Sequence, residues 1–264
     1  MANASHRGKR TPRTQHNARG KKARAHTQSE TSHQPTLHLV PTDPSVGHVV
    51  PFLKKKKPFE PLTKRQALYA NAIKAKPLTF GIGYAGTGKT HIAAEMAYEL
   101  YEAKLIKRIV VMRPAVEAGE KFGFLPGDMN EKIDPWFAVL KDKFNFFFGS
   151  GFTEYLIRKE KIIFAPIGFL RGHTLDDALV IIDESQNTTP EQMELALSRA
   201  GNRTKYVVCG DDRRQCDLKP NQKSGLTDAL SRFSESEFVS IIDFGVDDIV
   251  RSPFCKAVIL AYSK

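Results

Sequence analysis

Eight residues constrain this chain more than all the others. Gly83-Tyr84-Ala85-Gly86-Thr87-Gly88-Lys89-Thr90 fit G-x-x-x-x-G-K-[ST] without a mismatch. They follow the apolar run Leu78–Ile82 and open an amphipathic pattern, the strand–loop–helix setting that the motif requires. The glycines let backbone N–H groups turn inward around the phosphates of a nucleotide. Lys89 stands in register to reach the β- and γ-phosphates, and the Thr90 hydroxyl takes one position on Mg²⁺. Gly83 to Thr90 are therefore the expected nucleotide-binding residues, with ATP and Mg²⁺ as the cofactors. An overlapping G-x-G-x-x-G, Gly81 to Gly86, would suit a dinucleotide fold with an acid ending the next strand. That end reads Val111-Met112-Arg113, so the dinucleotide reading fails.

A second stretch completes the chemistry. Leu179-Val180-Ile181-Ile182 is a buried-strand pattern ending in Asp183-Glu184. Asp183 is placed to hold the metal, and Glu184 to orient and deprotonate an attacking water. A third apolar run, Tyr206–Cys209, leads into Gly210-Asp211-Asp212-Arg213-Arg214-Gln215. Gln215 is the expected sensor of the γ-phosphate or the water. Upstream, Gln66 in Leu62-Thr63-Lys64-Arg65-Gln66 could read adenine through its amide. Arg113, Arg171, Arg199 and Arg251 are candidate phosphate or nucleic-acid contacts, though sequence alone reads them as surface residues.

Around these motifs, strand patterns near 78–82, 108–112, 161–165, 178–182, 205–209 and 238–243 alternate with helical ones. The helical patterns fall near 63–74, 89–103, 190–200, 224–233 and 253–262. That alternation predicts an α/β fold with a mostly parallel sheet covered by helices on both faces. Residues 113–175 interrupt it. They hold twelve of the aromatics, including Trp136 and the run Phe146-Phe147-Phe148, which either stacks on bases or packs in a core.

Charge divides the chain. Residues 1–60 carry 12 Lys and Arg against three acids, a net of +9, out of +11 for the whole chain. With six of the eight histidines and little to fill a core, this stretch is expected to be a disordered basic tail. Such a tail can hold phosphate backbones by releasing counterions, or simply keep the protein in solution. Residues 61–264 form the expected domain. No apolar run approaches the roughly 18 residues of a membrane span. Three cysteines without C-x-x-C spacing argue against disulfides and zinc, and a cytoplasmic setting is expected.

The motifs together resemble the PhoH family. The residues that carry the resemblance are Gly83–Thr90, Arg113-Pro114-Ala115-Val116-Glu117-Ala118-Gly119-Glu120, Gly123-Phe124-Leu125-Pro126-Gly127-Asp128, Asp183-Glu184-Ser185-Gln186-Asn187 and Asp248-Ile249-Val250-Arg251. The resemblance runs from about Leu62 to Lys264. It implies a RecA-like ATPase core related to superfamily 1 helicases. It also implies a homo-oligomeric ring, taken as a hexamer, and association with single-stranded nucleic acid, RNA ahead of DNA. The chain is similar to the short forms carried by bacteriophages, without the PIN nuclease domain of longer members. The setting is then a bacterial or phage-infected cell. His173 replaces an arginine usual in the family, and the loop Gly210–Asp217 is one residue longer than G-D-x-x-Q-x-D. A single RecA-like domain lacks the arginine that a second one supplies in helicases, so Arg251 is expected to serve a neighbouring subunit's site. Two rival readings remain open here: a small-molecule kinase using residues 113–175 as a lid, and an ATP-gated scaffold with slow hydrolysis.

Overall fold

The computed structural model describes residues 59–114, 129–211, 217–219 and 221–262. Nearly all of the expected tail, 1–58, lies outside them, as does Gln215. Six strands form one sheet: β1 (Leu78–Gly83), β2 (Arg108–Arg113), β3 (Ile162–Pro166), β4 (Ala178–Ile182), β5 (Lys205–Gly210) and β6 (Val239–Phe244). Their order is β3-β2-β4-β5-β1-β6, and every pairing is parallel. The strand patterns read from the sequence coincide with these six to within about a residue at most ends.

Period-two alternation sends neighbouring side chains to opposite faces. Ile109 and Val111 of β2, with Leu179 and Ile181 of β4, join one apolar cluster. Val110 and Met112, with Val180 and Ile182, join the other. Burial on both faces is what makes these strands continuous apolar runs. The first face is covered by α1 (Lys64–Ala75), α2 (Lys89–Glu102), α3 (Met129–Phe148) and α4 (Ser150–Arg158). The second is covered by α5 (Pro190–Leu197) and α6 (Gly225–Arg232). The last helix, α7 (Pro253–Ala261), has no buried residue.

Helices α3 and α4 correct the reading of 113–175 as an interruption. From Phe137 onward, α3 buries Phe137, Leu140, Phe144, Phe147 and Phe148, the spacing of one helix face. Of the phenylalanine run, Phe147 and Phe148 are therefore core residues, while Phe146 is 64% exposed. Phe148 meets the ring of Tyr98 edge-on at 5.0 Å, fixing α3 against α2.

Parallel strands send all their carboxyl ends to one side, and the order has β5 between β1 and β4. The three loops that leave these strands therefore converge at one edge, where ligands of open α/β sheets bind.

Candidate functional site

The loop after β1 turns tightly because three of its glycines take left-handed backbone: Gly83 at φ 109°, Gly86 at φ 80° and Gly88 at φ 91°. Side chains of L-residues rarely adopt these angles. The Thr87 hydroxyl donates to the Tyr84 carbonyl at 2.9 Å and braces the turn from within. Lys89 Nζ donates to the carbonyls of Gly83 at 2.6 Å and Tyr84 at 2.8 Å, so its ammonium lies over the loop. Burial lowers its pKa, opposed by Cys209, Asp211, Glu184 and Asp183 around it. Ala85, Gly86, Gly88, Lys89 and Thr90 of this loop line one side of a cavity of about 590 Å³.

Gln66 supports this loop from behind. Its Nε2 donates to the Thr87 carbonyl at 3.0 Å and its Oε1 accepts from the Leu62 N–H at 2.8 Å. A glutamine amide has two donors and two lone pairs, so one of each remains beyond these two bonds. Beneath the loop, the Tyr69 hydroxyl and Cys209 thiol meet at 3.3 Å. Burial pushes the Cys209 thiol up to about 12, which marks it as a packed side chain rather than a nucleophile.

Asp183 ends β4 and faces the loop across β5. Its Oδ1 accepts from Thr90 Oγ1 at 2.7 Å, and its Oδ2 from Arg113 Nη2 at 2.6 Å. Arg113 is not the surface residue that sequence reading makes of it: its side chain is only 17% exposed. The reason is register. Met112 of β2 lies beside Ile182 of β4, so the next residues, Arg113 at the end of β2 and Asp183 just past β4, stand side by side. The hydroxyl and carboxylate oxygens are hard donors of the kind Mg²⁺ takes, and they already touch. The pair therefore fits the metal.

Glu184 follows in left-handed backbone, φ 53° and ψ 39°, an uncommon conformation for a residue other than glycine. Its side chain lines the same cavity, and Gln186 Nε2 donates to its Oε2 at 2.7 Å. Sequence reading quoted Gln186 only as part of a motif and gave it no role. Arg251 sits after β6, whose partner is β1. Its Cβ lies 3.2 Å from the point where a Cβ on Gly86 would stand, and the neighbouring Val250 N–H donates to the Gly86 carbonyl at 3.1 Å. Arg251 thus lines the cavity of its own chain. Arg171 is exposed and belongs to no part of the cavity.

Comparison with known proteins bears on the whole described core. A family model described as PhoH-like protein matches residues 58–263. A PhoH-like protein of Bacillus subtilis (strain 168) is 45% identical over 202 residues, 76% of this chain and 63% of its own length. Protein PhoH of Escherichia coli (strain K12) is 44% identical over 200 residues, 75% of this chain and 56% of its own. The chain thus spans about six-tenths of the relatives it matches. Among solved structures, the Pif1 helicase from Candida albicans aligns with 70% of this chain and 40% of its own, at 15% identity and a TM-score of 0.34. That likeness is too slight to inform activity.

Proposed function

The chain belongs to the PhoH-like protein family, and on that footing we propose that it is a Mg²⁺-dependent ATPase working on single-stranded nucleic acid. The observation that carries this reading is the meeting of three elements in one cavity: Lys89 of the phosphate loop, the Thr90–Asp183 pair, and Glu184.

In this reading the loop amides and Lys89 hold the phosphates, and Gln66 braces the loop while offering its remaining amide groups to adenine. Thr90 and Asp183 hold Mg²⁺, which when bound neutralises charge on the phosphate oxygens. Glu184 accepts the proton of the attacking water, and Gln215 senses the γ-phosphate. Arg251 reaches the phosphates from within its own chain. The protein assembles as a ring, taken as a hexamer, in the cytoplasm of a bacterial or phage-infected cell. Its turnover drives movement along RNA before DNA, as a translocase or helicase, with the basic 1–60 segment adding electrostatic grip.

The kinase reading needs residues 113–175 to act as a lid. Part of that region is instead built into the core, with Leu140 and Phe144 fully buried. ATP turnover measured with and without single-stranded RNA, single-stranded DNA and duplex tests the proposal. Stimulation by single strands supports it, whereas turnover indifferent to all three removes the nucleic-acid half.

A further inference from the structure

The turn after the acid pair makes more contacts than a chain reversal needs. Gln186 is 2% exposed, and both ends of its amide are used. Its Nε2 donates to Glu184 Oε2 at 2.7 Å, and its Oε1 accepts from the Asp211 N–H at 3.1 Å. A carboxylate only accepts and a backbone N–H only donates, so these partners fix which way the amide faces. The next residue repeats the pattern. Asn187 Nδ2 donates to Asp217 Oδ2 at 2.9 Å, and its Oδ1 accepts from the Asp217 N–H at 2.8 Å. Ser185 Oγ donates to the Cys209 carbonyl at 2.8 Å. Three consecutive side chains thus bind the end of β5 and the point, Asp217, where the chain returns toward α6. Gly210 has to be glycine for this: a Cβ there would lie 2.5 Å from Ser185 Oγ and 3.1 Å from Gln186 Oε1.

We propose that Gln186 is the positioning residue for Glu184, and that through Asp211 it ties the direction of that carboxylate to the end of β5. One oxygen of Glu184 is held by the amide, and the other is left for water. Any occupant that shifts the end of β5 then changes turnover while leaving ATP affinity in place. The inference rests on Glu184 serving as the base.

The test uses the full chain. Gln186→Glu keeps an acceptor for the Asp211 N–H and removes the donor to Glu184. Its kcat should fall by about tenfold or more, since small misplacements of a catalytic group are expensive. Its KM for ATP, and its Kd for a fluorescent ATP analogue, should stay within about threefold of wild type. Its melting temperature should drop, and the swapped double variant Glu184→Gln with Gln186→Glu should recover it by restoring an amide–carboxylate bond. Such recovery needs direct contact and does not depend on turnover. Unchanged kcat in Gln186→Glu, a loss confined to nucleotide affinity, or no recovery in the swap would each overturn the proposal. A wild-type protein without ATP turnover overturns the ATPase reading itself, and this inference with it.

Discussion

Thr90 and Asp183, 93 residues apart, are joined by a 2.7 Å hydrogen bond from hydroxyl to carboxylate. Arg113 holds the second oxygen of the same carboxylate, which is 4% exposed. Three elements thus meet on one side chain. Removing one partner of a buried ion pair leaves an uncompensated charge, at about 3 kcal/mol. Arg113→Ala should lose stability of that order in denaturant unfolding, and added Mg²⁺ should restore part of it. A loss that Mg²⁺ leaves untouched would separate Arg113 from the metal site.

Lys89→Ala and Glu184→Gln should fail in different ways. The first removes the cation over the loop, so binding of a fluorescent ATP analogue should weaken by about tenfold or more. The second removes only the base, so the analogue should still bind while turnover falls by about 10²–10⁴. Equilibrium binding beside single-turnover hydrolysis separates the two.

Arg251 lines its own chain's cavity, so Arg251→Ala and Lys89→Ala subunits should not rescue one another. Mixed oligomers, verified by two affinity tags, should stay as inactive as either variant alone. Recovered activity would instead assign the arginine to a neighbouring pocket.

The net charge of +9 in residues 1–60 makes a claim about salt. Deleting them should weaken binding to single strands and flatten the dependence of log affinity on log salt. ATP turnover without nucleic acid should be unchanged. An unaltered slope would leave the segment without a role in binding.

The phenylalanine run should divide according to burial. Phe147 and Phe148 are 4% and 3% exposed, so alanine at either should cost about 3–5 kcal/mol of stability. Phe146→Ala should fold normally, and if its exposed ring stacks on a base, binding should weaken by about 1–3 kcal/mol. Thermal melts and fluorescence anisotropy with a labelled oligonucleotide read the two effects.

The inner strands were legible in the sequence because they are buried on both faces, which leaves an uninterrupted apolar run such as Leu179–Ile182. The loop Gly83–Thr90 and the pair Asp183-Glu184 were legible because their chemistry is local. Helices α3 and α4 were missed although Phe137, Leu140, Phe144 and Phe147 keep helical spacing. Pro135 inside the segment, with Gly149 and Gly151 beside it, reads as a break, and aromatics serve strands as well as helices. The burial of Arg113 against Asp183 could not be read. Their contact depends on β2 lying beside β4, and a non-sequential strand order is invisible in a linear pattern.

Gly83 is usually explained by the phosphate it faces, but the sheet also demands it. A Cβ at that position would collide with the carbonyl oxygen of Phe244 at the end of β6. The opening letter of the motif is thus spelled twice, once for ligand and once for neighbour. Substitution there would damage folding as well as binding, so an assay of activity alone would credit the whole loss to the nucleotide. Transplanting the loop to a sheet that ends at β1 would relax the steric demand and leave only the chemical one.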